Sequence, residues 1–287
     1  MSSSARPALF GFVQFEFGFL LGPGDGRFLI RSAPGEDPDR VLVLTTLGAA
    51  ERRRLRKSRG RTVQEGAPAP VPTTRATLVR PRPFEAEGAA RGWLDGLRSD
   101  EDRAHAELAD AAGVLGRALH AHRVAHADPY ARDVSFRQAL VLRIGFGDGE
   151  AVADGRYVEA WELPAEARRT SRSMEAPEER FAALLGAREH VLACEELVLR
   201  ARADLDAERP RQAALQARVG LEGVLAELEG EIPPDRRAAL EDDRAAVGDA
   251  ANVALRGDLS EELAGALAEA IGRMEAVLRS HRLSSSS

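Results

Sequence analysis

Cysteine occurs once in these 287 residues, at Cys194, so no internal disulfide framework is available. That absence points to a reducing compartment, and a cytoplasmic protein is expected. Lysine also occurs once, at Lys57, and asparagine once, at Asn252. Every other basic residue of the 40 is arginine, whose planar fork suits phosphate and carboxylate groups. The same scarcity of lysine and asparagine, beside abundant alanine, is what a GC-rich coding sequence produces, so arginine content alone signals no ligand. No apolar run approaches the roughly 18 residues of a membrane span, and no membrane partner is expected. Gln14 and Glu16 interrupt the apolar stretch after Arg6, and no small-residue cleavage pattern follows before Gly22 and Pro23. The N-terminus therefore reads as a strand rather than a signal peptide.

Aromatic residues make up only 5% of the chain, yet six of its ten phenylalanines fall within residues 10–28. Val13, Phe15, Phe17, Phe19 and Leu21 alternate with Phe12, Gln14, Glu16, Gly18 and Leu20, the period-2 pattern of a strand with one strongly apolar face. A hairpin cannot bury such a face alone. Helices, further strands or a partner chain must cover it, and Phe15, Phe17 and Phe19 are the candidate interface residues. Turn formers at 22–26 lead into a return strand over 27–31. Further strands are predicted over 40–47 and 73–80, then over 136–146 and 157–163. Between them, Ser99 and Asp102 suggest a cap for a helix reaching about His126, with Leu108, Ala112, Leu115 and Leu119 on one face.

After Pro164 the pattern becomes helical. Leu184, Ala187, Val191, Cys194, Val198 and Ala201 recur at steps of three and four, and Ala214, Ala217, Leu221, Val224 and Leu228 continue that spacing. Asp258 and Glu261 form a capping-box pattern before a last helix. The expected fold is α+β: an N-terminal antiparallel sheet packed with helices over 8–163, a linker at 164–178, and an all-α bundle or hairpin unit over 179–283. Residues 51–72 read as a solvated Arg/Pro-rich insertion. Formal charge is −6 overall, but residues 1–95 carry 15 basic against 10 acidic side chains and the rest of the chain is acidic. Such asymmetry is compatible with self-association or an anionic partner.

Chemistry is less visible. Arg52, Arg53, Arg54, Arg56, Lys57, Arg59 and Arg61 form a basic run suited to nucleic acid, although no aromatic is interleaved for base stacking. His122 and His126 lie four apart, which sets two imidazoles on one helix face within reach of a metal. That face also carries Leu115 and Leu119, so the pair reads first as helix-end histidines, the second near the C-terminal dipole. No third ligand is evident, and neither a metal nor another cofactor is expected. Gly145-Phe-Gly-Asp-Gly149 lacks the Lys-Ser/Thr of a phosphate loop and reads as a turn. Cys194, between Val191 and Val198 on the helical stripe, reads as a small core residue.

Two short segments resemble known families. Arg117-Ala-Leu-His-Ala-His122 resembles the Arg-x4–6-His signature of HEPN-type ribonucleases, which implies Arg117 stabilising phosphate charge and His122 acting as acid or base. The position after the arginine, commonly polar in that family, is Ala118. Arg200-Ala-Arg-Ala-Asp-Leu-Asp-Ala-Glu-Arg-Pro-Arg-Gln-Ala-Ala-Leu215 resembles the turn of a tetratricopeptide hairpin, with Ala201 and Ala213 at small-residue positions and Glu208 replacing the turn glycine. That resemblance implies protein–protein contact. With no complete catalytic constellation, a non-enzymatic interaction or scaffold protein with a protein partner or self-association is expected. The alternative is a nucleic-acid-associated protein, with ribonuclease chemistry at Arg117 and His122.

Overall fold

The computed structural model describes residues 8–31, 33–48, 71–149, 151–163 and 177–285. The chain divides into two compact units, Met1–Thr170 and Ser171–Ser287. The Arg52–Arg61 run and most of the expected linker lie outside the described residues.

The first unit is an α+β layer. Its strands are β1 (Leu9–Phe17), β2 (Gly26–Ile30), β3 (Arg40–Leu47), β4 (Thr73–Val79), β5 (Val141–Asp148) and β6 (Glu159–Glu162). They form one antiparallel sheet in the order β2-β3-β4-β1-β5-β6. The apolar face of β1 is buried as its alternation requires: Val13, Phe15 and Phe17 join Leu42, Leu44, Leu78, Leu142, Ile144 and Phe146 in one core. Two helices close that face, α1 (Glu87–Arg98) and α2 (Glu101–His126), through Leu94, Leu97, Leu108, Leu115 and Leu119. Asp100 caps α2 by accepting from the Arg103 amide at 3.0 Å, one residue from the cap expected at Ser99. The helix ends with Ala127 in the left-handed region at φ 50°.

The second half of the sheet departs from expectation in a telling way. Phe136–Gln138 is a 3-10 turn closed by a reciprocal Ser135–Gln138 cap, and β5 starts only at Val141. Gly145 and Gly147 therefore lie inside a strand, not in a turn. Both project onto the face opposite the helices, where the connection at 151–158 folds back. A Cβ on Gly147 would come within 2.9 Å of Val152 and 3.0 Å of the Tyr157 backbone. Glycine is needed there for close approach. Phe19, expected on the buried face, lies beyond the end of β1 and is 41% exposed while still touching Phe17.

The second unit is helical: α3 (Pro177–Leu185), α4 (Ala193–Asp206), α5 (Pro210–Glu227), α6 (Pro234–Ala254) and α7 (Glu261–Ser285). The stripe read as continuous from Leu184 to Ala201 is broken between α3 and α4, where Ala187 adopts φ 53°. Pro177 and Glu178, assigned to the linker, open α3. Ser260 caps α7 by accepting from the Leu263 amide at 3.3 Å, in place of the expected Asp258. Helices α4 to α7 share one core in which Cys194, Val198, Leu221, Val224, Leu240, Val247, Ile271 and Met274 are buried. Short connections make sequential helices antiparallel neighbours. Ion pairs fix two of those contacts: buried Asp204 with buried Arg209 at 2.7 Å across the α4–α5 turn, and buried Asp243 with the partly exposed Arg273 at 2.6 Å between α6 and α7. Glu208, where the tetratricopeptide-like turn lacks its glycine, adopts a glycine-type φ of 56°.

Candidate functional site

The sheet face without helices is the chemically richest surface of the first unit. The register sets Arg27, Val43, Thr77, Gln14, Arg143 and Glu162 on one rung across all six strands. Glu16 and Arg75 occupy the neighbouring rung. Gln14 is fully buried and every polar end is used: its amide donates to the Thr77 hydroxyl at 2.9 Å and to the Val152 carbonyl at 3.3 Å, and its oxygen accepts from Arg143 at 3.0 Å. Arg143 also donates to Glu16 at 2.8 Å and to Glu162 at 3.0 Å, while Arg75 donates to the same Glu16 oxygen at 3.0 Å.

Burial alone would raise the Glu16 carboxyl, but the hydrogen bonds and charges of Arg143 and Arg75 outweigh it and hold the group below the ordinary carboxylate range. This carboxylate is therefore ionised and shared by two guanidiniums. The network pins residues 151–158 to the sheet through the Val152 carbonyl, and Val152 packs on Phe12 and Val79 while Tyr157 stacks on Phe12 at 5.5 Å.

That connection lies over β1, β4 and β5, where Phe12, Thr77 and Val79 are buried, and leaves Arg27 and Leu29 of β2 exposed. Between them runs a trough of about 270 Å³ with Val41, Val43 and Val79 as its floor, Phe10 and Gly149 as one wall, and Arg27, Arg80 and Asp148 at its rim. Arg80 is held in place by Glu107 and lies 5.1 Å from the Trp93 ring centre. Arg27 is exposed, and among the described residues its guanidinium has no ion-pair partner.

The residues singled out by motif fall elsewhere. Phe15 and Phe17 are fully buried beneath α1 and α2, which makes them core residues of this unit and leaves only Phe19 at the surface. Helix α2 runs unbroken through Arg117 and His122, and five residues of helix place them roughly 140° apart around its axis. The His122 and His126 rings lie 4.0 Å apart, with His126 Nδ1 hydrogen-bonded to the His122 carbonyl at 3.0 Å. No group of three or more His, Cys, Asp or Glu side chains among the described residues is arranged to hold a metal. Cys194 is buried at the start of α4, where Glu227 of α5 accepts from the Ala193 and Cys194 amides at 3.2 and 2.9 Å. Burial and the Glu227 carboxylate push its thiol up to about 12.

No protein-family model, curated protein or solved structure matches this chain.

Proposed function

We propose that this is a non-enzymatic protein-interaction module that seats a side chain of its partner in the trough on the helix-free sheet face. The observation that carries this reading is the size and lining of that trough. At about 270 Å³ it falls just below the roughly 300–1,000 Å³ usual for small-molecule and cofactor sites. Its floor is aliphatic and its charged groups stand at the rim, the distribution of a protein interface, with an apolar centre inside a polar border. The Glu16–Arg143 network ties β1, β4 and β5 together beside that floor, which limits the ordering lost on docking.

Selection of a random peptide-display library on the full-length protein tests the reading. Peptides that bind at micromolar affinity and lose at least ~10-fold with Val43→Gln, a difference of about 1.4 kcal/mol, are the expected result. A Leu29→Glu variant, altered on the same face at a half-exposed position, guards against a folding defect in the first. Failure to enrich any peptide, or binding indifferent to both variants, rejects the proposal.

A further inference from the structure

Resting on that reading, we infer that the partner enters as an extended, acidic strand that pairs with the outer edge of β2. The two ends of the sheet are unlike. At one end β6 is four residues long, and its two glutamates are engaged, Glu159 by Arg91 and Arg98 and Glu162 by Arg143. A short edge with fixed charges resists pairing. At the other end β2 is hydrogen-bonded to β3 alone among the described residues, and it reads Gly-Arg-Phe-Leu-Ile with no proline, lysine or bulge to guard it. Phe28 is 41% and Leu29 53% exposed.

Alternation decides what the incoming strand must carry. Arg27 and Leu29 share the helix-free face with the trough, so the residues opposite them on an added strand also face that way. Opposite Arg27 a carboxylate finds a guanidinium that has no other ion pair; opposite Leu29 an apolar side chain leans over the edge toward Val41 and the trough floor. Backbone bonds supply affinity and these two positions supply selection, which is the logic of strand addition. A second copy paired antiparallel about Arg27 or Phe28 of the same edge would set Arg27 against its own image or against Leu29, and the register that brings up Asp25 instead meets a carboxylate already accepting from the Thr46 amide and hydroxyl.

The test uses the full-length protein and a blocked seven-residue threonine-rich peptide with a glutamate and a phenylalanine two positions apart, read by fluorescence anisotropy. A twin carries lysine for glutamate, and a third version is N-methylated at the amides that would face β2. The glutamate peptide should bind at least ~10-fold tighter than its lysine twin, Arg27→Glu should reverse that order, and N-methylation should abolish binding. No binding of the glutamate peptide at millimolar concentration overturns the inference, as does a preference that survives Arg27→Glu. If Val43→Gln weakens the peptide while N-methylation and Arg27→Glu do not, strand pairing falls and the trough reading stands. A dimer in sedimentation that Arg27→Glu strengthens and that excludes the peptide also overturns it, in favour of a second copy.

Discussion

Arg143 of β5 reaches Glu16 of β1 diagonally, at 2.8 Å, while its direct cross-strand neighbour is Gln14. One guanidinium thus ties two successive rungs of the central strand, and the helix-free face owes its shape to that tie.

Acid should loosen it. The Glu16 carboxyl sits below its ordinary value in the folded protein, so its contribution is complete above the unfolded-state value and is lost as pH falls through the folded one. Urea midpoints at pH 7 should drop by the equivalent of roughly 1–3 kcal/mol in Glu16→Gln, in line with charged hydrogen bonds. The gap between wild type and variant should narrow as pH falls below the glutamate range. A gap that stays constant to pH 3 would remove Glu16 from the account.

Gly145→Ala should be among the most damaging single-methyl additions in the first unit. The new Cβ would run into the Glu159 carbonyl oxygen and lie 2.8 Å from the Ala160 Cα, both backbone atoms of β6. Overpacking of this kind costs about 1–3 kcal/mol, and thermal melts should show it together with loss of amide protection in β6. Unchanged protection over 159–162 would mean that the two strands can part without cost.

Ala127→Gly should work in the opposite direction. Ala127 ends α2 at φ 50°, a conformation that an L side chain resists and glycine accepts. A gain of about 0.5–1 kcal/mol is expected in chemical denaturation. A loss of stability would show that the side chain earns more from its surroundings than the backbone strain takes away.

Cys194 should label only when the second unit opens. With its thiol pushed up to about 12 by burial and Glu227, almost none is thiolate at pH 8. Reaction with a disulfide reagent should therefore follow the unfolding rate across a urea series. Glu227→Ala removes the carboxylate that accepts the first two amides of α4, and it should cost about 1 kcal/mol while accelerating labelling. Fast labelling of the wild type without denaturant would contradict the buried geometry.

Two strands are legible in the sequence: β3 is found over Arg40–Leu47 as its continuous apolar run indicates, and the buried face of β1 follows the alternation of its phenylalanines. What composition could not reveal was register. Gln14, Glu16, Arg75, Thr77 and Arg143 each stand at alternate positions of predicted strands, and opposite charges in such positions are a signal. Turning them into a network requires knowing that β1 lies between β4 and β5, a fact carried by tertiary packing. The glycines of 145–149 misled for a related reason: their role depends on a connection that folds back over the strand. Between α3 and α4 the break falls at Ala187 rather than at Gly186, so local propensity gave it little mark.

The central place of β1 has a consequence for how the chain is made. This strand leaves the ribosome before its neighbours, which lie far downstream: Gln14 meets Thr77 across 63 positions and Arg143 across 129. Until both have emerged, the stickiest stretch of the molecule has nothing to pair with on one or either side. Folding of the first unit is thus bound to its completion rather than to its beginning, a slow and non-local order of assembly. Chains halted between β4 and β5 would display a phenylalanine-rich edge to whatever strand or chaperone is near.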